Sequence, residues 1–321
     1  MLRRAKTSIV AALCCVAFSL NACSVPSTNG APSARPAPAR IEYVGAWGTK
    51  GTGPAQFEDP RAIASDDFNN VYIADAGATT SRIDKFSADG HPLLSVMLMH
   101  RLTAPCGMTV DSGGAIYVLD CGAGALLIFF PDGSLLREIR SGLAGIRPSG
   151  PASVTVDDHG RICVGEARAA HILTFSTAGR ILDELPANHT ASDSLGAIDQ
   201  IAAGDVGLYV MNATLRQVTH LADDGSEIAK LQWNSDAAPT GSQTLSFLAV
   251  TQKYVITLTG LASSPALRVW TLTAEQKFDG PLPADSALGK LNYSGLAATP
   301  SGEVLILDTA GTRVLHFRLN F

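Results

Sequence analysis

Charge is scarce in this sequence: 17% of its 321 residues are Asp, Glu, Lys or Arg, and the net charge is −5. Lys and Arg form no cluster, so the electrostatic footprint of a nucleic-acid binder is missing, and there is no acidic tail. The apolar run Ile9–Leu20 falls short of the ~20 residues that a membrane-spanning helix needs. Histidine is limited to His91, His100, His159, His171, His189, His220 and His316, with no His-Glu-x-x-His pair and no three expected to converge. A histidine-held zinc is therefore not expected. No Gly-x-Ser-x-Gly elbow occurs either. What the chain has in quantity is apolar residues, 46%, and 30 glycines, many in turn-like places. That balance supplies a large core and favours many short strands over helices.

The N-terminus reads as a targeting segment. Arg3, Arg4 and Lys6 precede the apolar run, which stops at Leu20-Asn21-Ala22-Cys23. This resembles the bacterial lipobox, which implies that residues 1–22 are removed and that Cys23 is acylated as the new N-terminus. Ser24 rather than Asp follows, which leans towards the outer membrane, facing the periplasm. Residues 23–40, rich in Pro, Ala and Ser, read as a disordered tether. Residues 41–321 then form the folded domain.

That domain repeats one pattern. In its best copy Pro60–Ala64, Val71–Asp75, Arg82–Phe86 and His91–Met97 are expected strands, separated by turns rich in Asp, Asn and Gly. The residue ending the second strand recurs as Asp75, Asp120, Glu166, Asn212, Gly260 and Asp308, at steps of 45, 46, 46, 48 and 48 residues. A third-strand anchor recurs as Phe86, Phe130, Phe175, Leu221, Leu272 and Phe317, followed by Gly90, Gly133, Gly179 and Gly225. Four strands at a period of ~40–50 residues predict a β-propeller blade. The sixth unit ends after its third strand, and Ile41–Trp47 supplies the missing one. The expected fold is an all-β, six-bladed propeller of four-stranded antiparallel blades, the last closed by the N-terminal strand.

Gly51-Thr52-Gly53-Pro54-Ala55-Gln56-Phe57, Asp59-Pro60, Asn70–Asp75 and Arg82–Phe86 resemble the NHL repeat closely. The other units resemble it less, with Asn212 and Gly260 where an acid is usual. The resemblance implies the fold. It implies function weakly, because the family includes scaffolds, sensor domains and a few enzymes.

The repeated acids look like a ring of ligands, but a second column, Arg82, Leu126, His171, Gln217, Arg268 and Arg313, varies with them. Acid meets base in Asp75/Arg82, Asp308/Arg313 and Glu166/His171, and amide meets amide in Asn212/Gln217. This is the mark of cross-strand structural pairs. Six-bladed lactonase-like hydrolases hold a metal at the mouth of the central channel. The corresponding column here is Arg61, Cys106, Ala152, Asp199, Ser246 and Ser294. One carboxylate does not supply the six to eight oxygens that calcium takes.

The reading is thus a lipid-anchored, non-catalytic binding or scaffolding propeller of the cell envelope, monomeric, with no metal or cofactor. Its membrane contact is the lipid on Cys23, and its ligand is a protein, peptide or glycan. Arg61, Asp199, Ser246 and Ser294 are the candidate ligand contacts, with loops 76–81 and 261–267. The alternative is a periplasmic hydrolase or lyase of the lactonase-like kind. In an oxidising compartment Cys106 and Cys121, opposite each other across the blade-two hairpin, are expected to form a disulfide. Cys163, where other units have Tyr72, Tyr117 and Tyr209, is expected to be a buried free thiol.

Overall fold

The computed structural model describes residues 40–78, 81–98, 102–140, 152–166, 171–185, 195–234, 244–261, 263–283 and 291–321. Cys23 and the expected leader and tether up to residue 39 lie outside them, as do His100 and His189.

Six four-stranded antiparallel sheets form the blades. Blade one runs Pro60–Ser65, Asn70–Ala76, Ser81–Ser87 and Pro92–Met97. Blade two is Pro105–Val110, Ile116–Asp120, Ala125–Phe129 and Leu135–Ile139. Blade three is Ala152–Val156, Ile162–Glu166, His171–Phe175 and Ile181–Leu185. Blade four is Gln200–Ala203, Leu208–Asn212, Gln217–Leu221 and Glu227–Gln232, and blade five Thr244–Val250, Tyr254–Leu261, Ser264–Thr271 and Gln276–Pro281. Blade six takes Tyr293–Ala298, Glu303–Asp308 and Arg313–Asn320 from the C-terminal end, and Arg40–Trp47 pairs against Arg313–Asn320 as its outer strand.

A blade is a sheet held between two others, so its second strand is covered on both sides. Asn70–Ala76, Ile116–Asp120 and Leu208–Asn212 are correspondingly near-continuous apolar runs, almost wholly buried. The core is six clusters, one in each space between neighbouring blades. The cluster between blades six and one joins Ile63, Ile73 and Phe86 to Leu305, Leu307 and Val314. Fully buried Phe86, Phe129, Phe175 and Phe317 hold equivalent places in four blades. Each contributes about 1.5–3 kcal/mol by burial.

The glycine after the third strand has a specific task. Gly90, Gly133 and Gly179 have φ of +88°, +81° and +81°. A Cβ on them would press, in turn, on Trp47, Val96 and Ile139, each in the outer strand of the preceding blade. The tight turn and the close approach both require glycine.

Two columns shift from their expected places. Phe129, not Phe130, pairs with Ile116, and the irregularity that marks the anchor in other blades falls at Trp270, not Leu272. Blade five therefore ends its column at Thr259, one residue before Gly260. Its second hairpin continues to the Leu261–Ser264 pair, so residues 261–267 are mostly strand, and Ala76 pairs with Ser81 in the same way.

Candidate ligand-binding channel

The six inner strands surround a channel of about 710 Å³. At one end lie the turns of the first hairpins, where Asp66, Asp111 and Asp157 close each turn on themselves. The Asp66 carboxylate accepts hydrogen bonds from Phe68 N, Asn70 N and the Tyr72 hydroxyl at 2.9, 2.8 and 3.0 Å. Burial alone raises the Asp66 pKa, but bonds from Asn70, Tyr72 and Phe68 outweigh it and hold the group below the usual range. Asp111 repeats this with Gly113 N, Ala115 N and the Tyr117 hydroxyl. In blade three Cys163 stands where the tyrosines stand. It is a free, buried thiol, and burial followed by the nearby Asp157 pushes its pKa up to about 12. Asp157, Asp158 and His159 come within 4.8 Å of one another. The Asp157 carboxylate, however, already accepts from His159 N, Arg161 N and Arg161 Nε, so it caps a turn.

The other end is built by the acids that end the second strands. Asp75 is 1% exposed, and Asp120 and Asp308 are 0% exposed. Asp75 accepts from the backbone N–H of Glu58 and Asp59 and from Arg82 Nη2, the last at 3.1 Å. Asp120 accepts from the N–H of Thr103, Ala104 and Ala123 at 2.6, 2.9 and 3.0 Å. Asp308 accepts from Asn292 N at 2.8 Å and Arg313 Nε at 3.0 Å. These carboxylates clamp the chain just before each inner strand begins. The expected partners face each other as Asp75–Arg82, Glu166–His171, Asn212–Gln217 and Asp308–Arg313. In blade two, Ala125 and not Leu126 faces Asp120. Arg268 pairs in register with Thr257 but donates from Nη1 to Thr259 Oγ1 at 2.6 Å, reaching its column by length.

The same three blades carry a bulge. Register slips between Pro60 and Ala62, between Pro105 and Gly107, and between Tyr293 and Gly295. Arg61, Cys106 and Ser294 are the inserted residues, and all three line the channel. Blades three to five run without the insertion at this point. Asp199 and Ser246 therefore lie at the level of Pro60, one step outside the bulge residues, and are not part of the lining. Gln200 and Phe247 occupy the rim in blades four and five instead. The column expected from the sequence was thus two registers joined. The inserted residue leaves no mark in composition, and its only sign is a proline opening the strand, Pro60 and Pro105, which has no N–H to give the ladder.

Asp199 is itself a clamp, with the roles of blade one exchanged. Its Oδ2 accepts from Ala213 N at 2.6 Å, past the end of the second strand. Burial raises its pKa, opposed by bonds from Ala213 N and the Ser246 hydroxyl. Along the channel, polar side chains join the blades. Ser65 Oγ donates to Ala298 O, Thr155 Oγ1 accepts from Ala203 N, and Gln200 Oε1 accepts from Leu248 N. Arg61 forms an exposed ion pair with Asp59 at 2.7 Å.

Cys106 and Cys121 are joined in a disulfide, as expected, with Cα atoms 5.8 Å apart. They are not a regular cross-strand pair. Pro105 faces Asp120 and Gly107 faces Leu119, so the bulge turns Cys106 towards the residue just past the strand end. The described histidines each have a partner. His171 lies between Glu166 and Glu184, His316 meets Glu303, His220 stacks on Tyr209, and His91 and His159 meet Asp89 and Asp158.

No family model matches the chain. Over 103 residues it is 28% identical to "NHL repeat-containing protein 3" of Homo sapiens, covering 29% of this chain and 28% of that one. The match thus spans little more than a quarter of that relative's length. Among solved structures, a protein of unknown function from Bacteroides thetaiotaomicron aligns with a TM-score of 0.60 at 13% identity, over 88% of this chain and 76% of that one. A streptogramin B lyase aligns with a TM-score of 0.54 at 12% identity, over 88% and 98%. The WD40 propeller domain of Doa1 aligns at 0.53 and 11%, over 87% and 97%. At these identities the likenesses show the propeller fold alone.

Proposed function

We propose that this six-bladed propeller is a non-catalytic binding module of the cell envelope, held to the outer membrane by a lipid on Cys23, that takes a peptide or glycan at the bulge end of its channel. The observation that carries this is the use of its acids. Asp75, Asp120 and Asp308 point their oxygens at backbone N–H groups, and Asp199 does the same in blade four. The rim carries Arg61, Gln200, Phe247 and Ser294 beside Cys106 and Ser153, a mixture of hydrogen-bonding and apolar contact on a rigid frame. Such a set recognises a ligand by shape and polar contacts.

The mature chain, purified from membranes, is screened against arrays of peptides and of glycans, beside a Ser294→Trp variant that fills the rim. Binding that the wild type shows and the variant loses, at unchanged unfolding midpoint, supports the reading. Equal binding by both moves the site away from the channel. Turnover of a lactone or ester that the tryptophan abolishes would replace it with the hydrolase alternative.

A further inference from the structure

The Cys106–Cys121 bridge lies where two other blades manage without one. In blades one and six the bulge residue is Arg61 or Ser294, and the residue after the buried aspartate of the second strand is Ala76 or Thr309. The local geometry is the same in all three blades. Ala76 N donates to Asp59 O at 2.9 Å, Cys121 N to Ala104 O at 3.0 Å, and Thr309 N to Asn292 O at 3.0 Å. Each blade also has its buried aspartate clamp, and Asp120 accepts from three backbone N–H groups. The disulfide is therefore not what shapes this corner.

The two cysteines differ in exposure. Cys106 is half-buried, lines the channel and packs against the core between blades two and three, while Cys121 is 2% exposed and lies within that core. A reagent reaching the bridge from the channel meets Cys106 first. Thiol–disulfide exchange needs in-line approach to one sulfur and departure of the other, so access decides which sulfur is attacked.

We propose that Cys106–Cys121 is a thiol–disulfide exchange site addressed through the channel, with a dithiol reductant of the cell envelope as its partner. A reductant thiolate attacks Cys106 Sγ. The Cys106–Cys121 bond breaks, and Cys121 leaves as a thiolate that takes up a proton. The second reductant thiol, giving up its proton, attacks the reductant sulfur of the mixed disulfide and releases Cys106. The protein gains two electrons and two protons, and the reductant becomes a disulfide. Cys163 takes no part: it is buried, in the neighbouring blade three and next to that blade's first turn, with its thiol held protonated.

The test uses the mature chain in native buffer with dithiothreitol, followed by alkylation and mass mapping, with the tryptophan emission spectrum recorded in parallel. Expected are a label on Cys106, none on Cys163, an unchanged spectrum, and a Cys121 thiol that takes its label only after subsequent unfolding. A second measurement traps wild-type protein with glutathione in the same buffer. The mixed disulfide should sit on Cys106 at least ten times more often than on Cys121. Reduction that proceeds only as the spectrum collapses and Cys163 becomes labelled overturns the proposal, as does glutathione found equally on both sulfurs or mainly on Cys121.

Discussion

Trp47, the last residue of the closing strand, lies against the Gly90 turn of blade one, so near that a Cβ on Gly90 would come within 2.4 Å of its Cγ. Trp47 also meets Phe86 with ring centroids 4.8 Å apart. The N-terminal strand thus completes blade six and locks it onto blade one.

Substituting Gly90→Ala should lower stability by about 2–3 kcal/mol, from a left-handed backbone and a clash together. Gly160→Ala is the control. Gly160 has φ of +73°, but a Cβ there would meet no atom within 4 Å, so its cost should stay near ~1 kcal/mol. Trp47→Ala should cost about 3 kcal/mol and make the Gly90 change milder in the double variant. Urea denaturation of all four variants measures this.

The Asp120→Ala variant leaves the N–H groups of Thr103, Ala104 and Ala123 without their acceptor. A loss of about 3 kcal/mol or more is expected. Calcium should not change the midpoint of either wild type or variant. A calcium-dependent rise confined to the wild type would mean that the acid is a ligand after all.

Asp199 gives a pH dependence of opposite sign to Asp66. Its folded pKa is raised, so the folded state holds the proton more tightly than the unfolded chain. Stability due to this group is greatest below the unfolded pKa of ~3.9 and is lost as pH rises through the folded value. Relative to Asp199→Asn, wild type should weaken from pH ~4 upwards. Asp66 has a lowered pKa, so its contribution is present above ~3.9 and lost as pH falls through the folded value. Denaturation curves of both Asn variants across that range check both signs.

Alkylation of wild type under denaturing, non-reducing conditions should label Cys163 and neither Cys106 nor Cys121. In the folded state Cys163 should resist labelling at neutral pH, since its thiolate is rare there. Three labelled cysteines would remove the bridge.

Intact mass of protein extracted from membranes should show Cys23 as an acylated N-terminus, and Cys23→Ser should release the chain into the soluble fraction. A mature N-terminus at another residue would end the anchor reading.

The strands, the six-unit count and the closing role of Ile41–Trp47 were legible because period-two patterning and Asp/Gly turns survive in most units. The Cys106–Cys121 pairing was legible because both residues fall near the same end of one hairpin. The bulges were not legible. One added residue at Arg61, Cys106 or Ser294 changes neither composition nor turn chemistry, yet it moves Asp199 and Ser246 off the rim and brings Gln200 and Phe247 onto it. In blade five Gly260 imitated a column end. The register is set instead by the pairing of Val255 with Trp270, a long-range contact that spacing does not reveal.

The pairing of Arg40–Trp47 with Arg313–Asn320 also orders the protein's assembly. The first strand of the fold to leave the ribosome waits for the last. Blades one to five are made of neighbouring hairpins and gain their partners as synthesis proceeds, whereas the ring closes only when the final hairpin has been made. Closure carries the entropy of joining the two ends of the domain and is the slow, long-range step. Proteolytic loss of the last strand would release the first as well. Any load on the chain ahead of Arg40 falls on this one ladder before it reaches another blade.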